Sequence, residues 1–268
     1  LRGYLAYGFK DQKFKGRAEI THLFRKNPRT RLYVSYANDY DNGQVYYDEV
    51  GTDNIFALAV RKKQVPSKFM KVEQTRIEFS KETHSGFTFE VSATRKKFDP
   101  VRSLPDNSIY KSGVGDSLNN AEIGFRIRFA YLERFLEGTF LRSSLGSPYP
   151  IGEIKYSRGF PGFLKSNYQY HKLSFSVHDY FKVANYGEIY YNIYGGKIFG
   201  TLPFPLLEIH PGNEMYYYNK YAYSLMNRFK FLSDEYAGIN IEHNFGNGVF
   251  RLLAPTRKLK FRQFWTAK

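Results

Sequence analysis

Apolar and polar side chains alternate along much of this chain, most clearly in the segment AEIGFRIRFAY that begins at residue 121. Successive side chains of a β-strand point to opposite faces, so this segment is predicted to be a strand with one apolar and one charged face. The apolar face would carry Ala121, Ile123, Phe125, Ile127, Phe129 and Tyr131, and the opposite face Glu122, Gly124, Arg126, Arg128 and Ala130.

The same alternation returns many times, which predicts an all-β, antiparallel architecture of roughly ten to twelve strands. The other predicted strands are Gly3–Lys10, Phe14–Phe24, Leu32–Tyr40, Phe69–Ser80, Phe87–Lys97, Phe135–Arg142, a strand within Tyr149–Phe163, His171–Phe181, Gly187–Phe199, Glu235–Phe245 and Lys258–Trp265.

Long connections separate some of these strands. Asp41–Asp53 and Asp99–Asn120 are predicted to be loops, and Asn54–Lys63 fits a short helix as well as it fits a strand. Thr201–Asn213 contains three prolines, which a regular strand does not tolerate, so we expect a loop packed inside or over the sheet. Tyr216–Tyr223 holds five tyrosines, a composition typical of a membrane-interface belt.

If this protein lies in a membrane, its composition leaves a barrel as the only possible fold. The chain has 268 residues, of which 42% are hydrophobic and 19% aromatic, and no stretch approaches the ~18 consecutive apolar residues of a spanning helix. Only helices and closed barrels satisfy all backbone groups inside a membrane. We therefore predict that residues 1–268 form a single region of an antiparallel transmembrane β-barrel with long loops. The chain ends FRQFWTAK, without a terminal aromatic residue, and we expect this barrel region to be incomplete.

The net charge of +15 leaves a second class of function open. Such an excess favours affinity for polyanions, including nucleic acid, lipopolysaccharide phosphates and acidic substrates. The excess of positive charge also fits a barrel whose lumen and rim charges are incompletely balanced, because the basic residues are spread through the strands. A soluble basic β-protein that binds nucleic acid or another polyanion is therefore the alternative to the barrel.

Motifs of catalysis are sparse. The chain has no cysteine and no GxSxG, HExxH, P-loop or complete GxGxxG motif, since Gly113-Val114-Gly115 lacks the third glycine. The six histidines are scattered, so we predict no metal site, no cofactor and no enzymatic activity. One alternative stays open, a barrel lipid hydrolase, because His178, Ser174 and Ser176 share one face of a predicted strand.

One short motif stands out in a segment rich in glycine and proline. A glycine permits a sharp backbone turn, and an arginine beside it can reach a carboxylate across a lumen. The motif is Arg158, Gly159 and Phe160, and the candidate lumen carboxylates are Glu153, Glu188 and Glu242.

Three stretches resemble a known family: GEIKYSRGFPGFLKSNYQYHKLSFSVHDYF, YGGKIFGTLPFPLLEIHPGNEMYYY and FKFLSDEYAGINIEHNFGNGVF. The family is of Bacteroidota type and of unknown function, and its members join a carboxypeptidase-like regulatory domain to an outer-membrane barrel. That barrel is similar to the surface-antigen superfamily, which includes the assembly proteins BamA and TamA. The resemblance implies the Gram-negative outer membrane and a barrel of about sixteen strands, of which this chain would be part.

The resemblance also implies a role for the arginine motif. In assembly barrels an arginine–glycine–aromatic motif lies on a loop folded into the lumen, where the arginine meets an acidic strand residue. Arg158, Gly159 and Phe160 match that motif, while Ser157 stands where those proteins usually have an aliphatic residue.

The expected function is therefore that of a non-enzymatic outer-membrane barrel in membrane biogenesis or transport. Its expected partners are outer-membrane lipid, lipopolysaccharide and other outer-membrane or periplasmic proteins, and nucleic acid is not expected among them.

Overall fold

A computed structural model describes residues 1–41, 68–102, 104–105, 118–137, 142–214, 222–248, 250, 255–256 and 261–268. The predictions for Asn54–Lys63, for Gly113-Val114-Gly115 and for the tyrosines between positions 216 and 221 lie outside these residues.

The described residues form fifteen strands and a few single-turn 3₁₀ helices. The strands are β1 (Arg2–Gly8), β2 (Lys13–Arg25), β3 (Thr30–Asp41), β4 (Phe69–Glu82), β5 (Phe87–Arg102), β6 (Leu118–Phe129), β7 (Phe135–Glu137), β8 (Arg142–Ser144), β9 (Ile151–Gly159), β10 (Tyr170–Lys182), β11 (Glu188–Phe199), β12 (Glu208–Ile209), β13 (Leu232–Ser233), β14 (Glu235–Gly246) and β15 (Gln263–Ala267). The 3₁₀ helices are Phe163–Lys165, Ala184–Tyr186 and Phe204–Leu206.

Eleven of these strands form one sheet in the order β1-β2-β3-β4-β5-β6-β9-β10-β11-β14-β15. Every neighbouring pair is antiparallel. The strands β7–β8 and β12–β13 form two small, separate two-stranded antiparallel sheets. The all-β, antiparallel fold class is thus confirmed.

The register of the sheet sorts its side chains into two faces. Ile127 on β6 lies between Phe89 on β5 and Ile154 on β9, whereas its neighbour Arg126 lies between Glu90 and Lys155. We call the face with Ile127 the outer face and the face with Arg126 the inner face. The alternation of apolar and polar residues in the sequence therefore corresponds to the outer and inner faces of the sheet.

The sheet has two different ends, which the connections define. At the end where β11 stops, residues 200–234 leave the sheet and return to β14; we call this connection the plug and this end the plug end. The opposite end, which we call the turn end, carries the short connections 26–29, 83–86 and 183–187 and the longer connection 130–150, which holds β7 and β8.

The plug packs against the inner face, several strands away from where it begins. Its apolar residues Leu202, Phe204, Leu206, Ile209 and Phe229 contact a cluster formed by Met70, Val72, Phe98, Leu118, Tyr168 and Tyr170. That cluster belongs to β4, β5, β6, β10 and the residues just before β10. To reach these strands from β11 the plug must cross the inner face, so the sheet curls around it. The expectation of a loop packed inside the sheet is confirmed for Thr201–Asn213.

One predicted loop is wrong at both ends. Asp99–Asn120 was expected to lie between strands, but β5 continues to Arg102 and β6 already begins at Leu118. In these extensions the inward side chains Phe98 and Leu118 are apolar and buried under the plug.

No helix in the described part of the chain is long and apolar enough to cross a membrane.

Candidate functional site

A chain of ion pairs crosses the inner face from β3 to β6. Arg31 and Arg76 both bind the Glu78 carboxylate, with their Nη2 atoms 2.6 and 2.9 Å from its oxygens. Arg76 also reaches Glu90 at 3.1 Å, and Arg126 donates from Nε to the same Glu90 carboxylate at 3.0 Å. Alternating charges therefore tie four adjacent strands together on one face.

The chain of ion pairs continues onto β9 through Glu153. Arg126 Nη1 lies 3.0 Å and Lys155 Nζ 2.7 Å from the Glu153 carboxylate oxygens. The register explains the contact, because Arg126 stands directly opposite Lys155, and Glu153 lies two residues away from Lys155 on the same face of β9. Glu153, a predicted lumen carboxylate, thus lies on the inner face, with Arg126 and Lys155 as its partners.

These carboxylates are nearly inaccessible and fully paired. The side chains of Glu78 and Glu90 are only 8% and 6% exposed. An uncompensated buried charge costs several kcal/mol (a rough figure), so each carboxylate here depends on its two guanidinium partners. A cavity of about 330 Å³ remains among these side chains. In this region the inner face is thus polar, and hydrogen-bonded charges link its strands.

A larger cavity of about 580 Å³ lies beside this network, over β9, β10, β11 and β14. His178, Asn192 and Asn240 face it in one line, because they are register partners on three adjacent strands. Asn240 is buried, and its Oδ1 has no hydrogen-bond partner within the described residues. The cavity can hold water or a polar solute that donates to this oxygen.

Two tyrosines form part of the cavity wall, each lying over a glycine of the next strand. A Cβ atom at Gly238 would stand 2.6 Å from Tyr194 Cζ, and one at Gly196 would stand 2.7 Å from Tyr236 Cζ. The two ring centroids are 6.4 Å apart. Because the glycines leave room, both rings lie along the wall and the cavity stays open.

A fully buried ion pair joins two residues of the plug to each other. Arg228 Nη2 lies 2.8 Å from Glu214 Oε2, and the two side chains are 2% and 1% exposed. The backbone N–H of Arg228 donates to the other carboxylate oxygen at 3.1 Å. Polar contacts also join the plug to the sheet: Lys68 Nζ donates to the Arg228 carbonyl at 3.2 Å, Lys172 pairs with Glu208 at 2.7 Å, and the hydroxyl groups of Tyr194 and Tyr223 lie 2.7 Å apart.

The predicted arginine motif has a different position from the one expected. Arg158 and Gly159 belong to strand β9, not to a loop. Arg158 is the register partner of Ile123 and His171, so it lies on the outer face. Its guanidinium carbon stands 5.0 Å from the ring centre of Phe160. An arginine on this face cannot reach the predicted lumen carboxylates, because they lie on the opposite face.

Gly159 instead makes room for an aromatic ring on the inner face. A Cβ atom there would be 2.2 Å from Tyr170 Cε1. The buried Tyr170 ring lies across β9, and its hydroxyl donates to Glu122 on β6 while accepting from Asn120 Nδ2 at 2.9 Å. Gly159 is therefore a packing position that lets β10 and β6 meet across β9.

The other two predicted carboxylates also face inward. Glu188 is the register partner of Lys182 and Asn244, and Glu242 is the register partner of Tyr190 and Thr266. By the alternation of β11 and β14 both lie on the same face as Asn192 and Asn240. Neither is close to Arg158, since the sheet separates them.

The arrangement that the hydrolase hypothesis requires is present only in part. His178, Ser174 and Ser176 all line the larger cavity, yet none of the hydrogen bonds among the described side chains joins the histidine to either serine. In the described part of the chain no three His, Asp or Glu side chains are grouped to hold a metal ion. The absence of enzymatic activity, of a metal and of a cofactor stays a prediction.

Sequence reasoning missed Arg228 and Glu214, the one arginine–carboxylate pair buried inside the plug among the described residues. Their separation along the chain follows no strand or helix period, so local patterning could not pair them. The available signal was indirect: Arg228 directly precedes Phe229 in a segment that no predicted strand covers.

The fold and the site define an all-β protein whose large antiparallel sheet turns charged side chains inward and apolar side chains outward. The chain belongs to a family of unknown function, DUF5686, as its C-terminal domain, and the match covers residues 1–268. No curated protein matches the chain. Among solved structures, the crystal structure of BamA from Haemophilus ducreyi lacking POTRA domains 1–3 is similar, with 13% identity and a TM-score of 0.48 over 86% of this chain and 44% of that one. This chain thus corresponds to less than half of that BamA chain.

Proposed function

We propose that this chain is the membrane-spanning part of a non-enzymatic outer-membrane β-barrel protein of Gram-negative bacteria, acting in membrane biogenesis or transport. The observation that carries the proposal is the reversed polarity of the sheet. Large apolar side chains on the outer face are about half exposed, among them Phe125 (49%), Ile154 (54%) and Phe175 (48%). On the inner face, in contrast, the carboxylates of Glu78 and Glu90 are buried.

This polarity is unfavourable in water and favourable in lipid. Full burial of a large apolar side chain is worth roughly 1.5–3 kcal/mol, so each half-exposed side chain would forgo roughly 1 kcal/mol in water. Hydrocarbon around the outer face removes that loss. The soluble polyanion-binding alternative requires the same face to remain in water, and the ion pairs of the inner face leave few charges there for a polyanion.

Aromatic residues at the turn end support a membrane boundary. On the outer face near this end, Phe87 and Phe129 have ring centroids 4.7 Å apart, and Tyr131 and Tyr149 have centroids 5.3 Å apart. Aromatic girdles of this kind mark the interfaces of outer-membrane barrels.

The plug favours a role other than that of an open diffusion pore. It covers the inner face at one end with apolar packing and a buried ion pair, while the 580 Å³ cavity beside it stays polar. Passage through such a barrel requires the plug to move, which suits gated transport or a role in membrane biogenesis. The family resemblance to Bacteroidota proteins with a regulatory domain, and to the surface-antigen superfamily, is part of this proposal.

The test uses one substitution on each face. Ile127→Arg places a charge on the outer face, where it should cost about 2–4 kcal/mol if the position lies near the bilayer midplane. Ser176→Arg places the same charge at the polar cavity beside Glu153 and should be tolerated. The measurement is the amount of folded, heat-modifiable protein in outer-membrane fractions of cells that express each variant.

Equal recovery of the two variants in the membrane would contradict the proposal. So would a wild-type chain that stays monodisperse in buffer without detergent.

A further inference from the structure

The outer face changes character near the plug end of β5, β6 and β9. Toward the turn end it is apolar and aromatic, but here it carries Arg95 and Lys97 on β5 and Arg158 on β9. Arg95 and Lys97 are register partners of Ala121 and Asn119, which places them on the outer face. Arg158 is exposed, and neither it nor Lys97 has an ion-pair partner among the described residues. Arg95 has one long contact, 3.7 Å to Glu73.

A short turn joins these basic residues to an exposed apolar surface. After β9 the turn containing the 3₁₀ helix Phe163–Lys165 packs against β6, and the Phe160 N–H donates to the Ala121 carbonyl at 3.1 Å. Ala121 is only 1% exposed, although it belongs to the outer face. The turn therefore lies at the plug end of β6 and β9, close to Arg158.

The backbone of this turn holds two apolar side chains outward. Leu164 and Lys165 adopt left-handed conformations with φ of 49° and 65°, which are unfavourable for residues other than glycine. Hydrogen bonds from the Gly162 N–H to the Ser166 carbonyl at 2.8 Å and from the Ser166 N–H to the Phe163 carbonyl at 2.9 Å close the turn. Phe163 and Leu164 remain 54% and 50% exposed. The turn thus keeps two apolar side chains exposed beside basic ones, although its backbone conformation is unfavourable.

We propose that this surface, formed by Arg95, Lys97, Arg158 and Lys165 with Phe163 and Leu164 and here called the collar, binds the phosphate groups of an anionic membrane lipid. The proposal rests on the proposed function, because the collar must lie at a membrane surface. Guanidinium groups bind phosphate oxygens in a bidentate manner, and lysine adds a point charge. Apolar side chains at the level of the headgroups insert into the adjoining acyl region.

The plug end also indicates which lipid leaflet meets the collar. The plug, the longest of the connections that the structure describes at both of their ends, leaves the sheet from this end. Outer-membrane barrels place their longer loops on the extracellular side. The collar therefore faces the outer leaflet, whose phosphorylated glycolipid is the lipid A part of lipopolysaccharide, and we assign that headgroup as its occupant.

The experiment measures binding of diphosphorylated lipid A to the detergent-purified, folded chain, with dephosphorylated lipid A as the second probe. The wild type should bind the phosphorylated form more tightly. Arg158→Gln and Arg95→Gln should each weaken this binding about fivefold, the effect of about 1 kcal/mol for one basic residue at a membrane surface. Arg158→Lys keeps the charge and should retain most of the affinity.

The matched control is Lys81→Gln, which removes an exposed basic residue of the same outer face at the turn end. It should leave lipid A binding unchanged. The proposal is overturned if Lys81→Gln weakens binding as much as the collar variants do, if both forms of lipid A bind alike, or if inorganic phosphate competes as well as the lipid. Arg95→Gln carries the test alone should Arg158→Gln misfold.

Failure of the collar and failure of the proposed function give different results. A chain that needs detergent but shows no preference for phosphorylated lipid A contradicts only the collar. A chain that is monodisperse without detergent contradicts the membrane assignment itself.

Discussion

At the scale of single residues, glycine and aromatic residues are paired across neighbouring strands. Gly159 lies beneath Tyr170, Gly238 beneath Tyr194 and Gly196 beneath Tyr236. In each pair the missing Cβ is what lets a large ring lie along the inner wall. These glycines therefore act through the space they leave, and none of the three has a positive φ.

The first prediction follows from that space. Gly159→Ala places a Cβ 2.2 Å from the Tyr170 ring and should lower the free energy of unfolding by about 1–3 kcal/mol, because the ring must leave its position over β9. Gly152→Ala on the same strand meets nothing within 4 Å and should be neutral. Urea unfolding of the refolded barrel in lipid vesicles measures both; equal losses would contradict the packing role of Gly159.

A second prediction concerns the ion pairs of the inner face. Glu90→Gln removes the charge that Arg76 and Arg126 share and should cost about 2–3 kcal/mol, since each guanidinium group loses one of its two carboxylate partners. Glu235→Gln breaks the exposed pair with Lys197 and should not change stability measurably. The same unfolding experiment checks the pair of variants, and a stable Glu90→Gln protein would show that the network is dispensable.

At the scale of elements, the plug combines apolar packing against the sheet with one buried ion pair between two of its own residues. Arg228→Met removes the guanidinium that pairs with the buried Glu214 carboxylate, and breaking a buried ion pair costs about 3–5 kcal/mol. We expect faster hydrogen exchange in the plug while the strands stay protected. The double variant Arg228→Met/Glu214→Leu removes both charges and should restore much of the protection. A plug that exchanges at the wild-type rate in the single variant would contradict this anchoring role.

The small β7–β8 hairpin at the turn end should respond to acid. Burial raises the pKa of Glu133, but hydrogen bonds from Arg128 and Ser144 and the nearby arginine charges outweigh it and hold this pKa below its usual value. A lowered pKa in the folded state stabilises the hairpin above the pKa of the unfolded chain, about 4.3. That stability is lost as the pH falls through the folded-state pKa.

Hydrogen exchange of the hairpin amides, corrected for the intrinsic rate, measures this loss. Glu133→Gln should remove the pH dependence, whereas Glu137→Gln, at an exposed position, should keep it. A hairpin equally protected at all pH values in the wild type would contradict the role given to Glu133.

The strands themselves could be predicted from the sequence wherever one face is apolar and the other polar. The predicted strand at His171–Phe181 is β10, Tyr170–Lys182, and that at Gly187–Phe199 is β11, Glu188–Phe199. Prediction failed at Asp99–Asn120, because near the plug the inner face becomes apolar and the alternation disappears. Phe98 and Leu118 face inward there, and they are apolar because the plug covers them.

The candidate site was predictable in part for the same physical reason. Glu153 follows the period of two and faces inward as an inner-face residue must. Arg158 follows the same period of two, which puts it on the outer face. The motif Arg158-Gly159-Phe160 suggested a loop instead, so the alternation was not applied to this residue. The Arg228–Glu214 pair depends on how the plug folds back on itself, and no local pattern encodes that contact.

At the scale of the whole molecule, the sheet is reversed with respect to a water-soluble one. Charges are collected and neutralised around a plugged interior, and the apolar side chains form the outer boundary. The basic collar at one end and the aromatic rings at the other give that boundary two distinct rims. A lipid bilayer between these rims accounts for all three features together.

The most direct test of this account uses the absence of cysteine in the chain. Single cysteines at positions 125 to 129 of β6, spin-labelled in the reconstituted protein, report contact with lipid through oxygen and contact with water through a charged nickel chelate. The account predicts alternation: labels at Phe125, Ile127 and Phe129 contact oxygen, and labels at Arg126 and Arg128 contact the chelate. Labels at all five positions that respond to the aqueous chelate alone would show that water, and not lipid, covers the outer face.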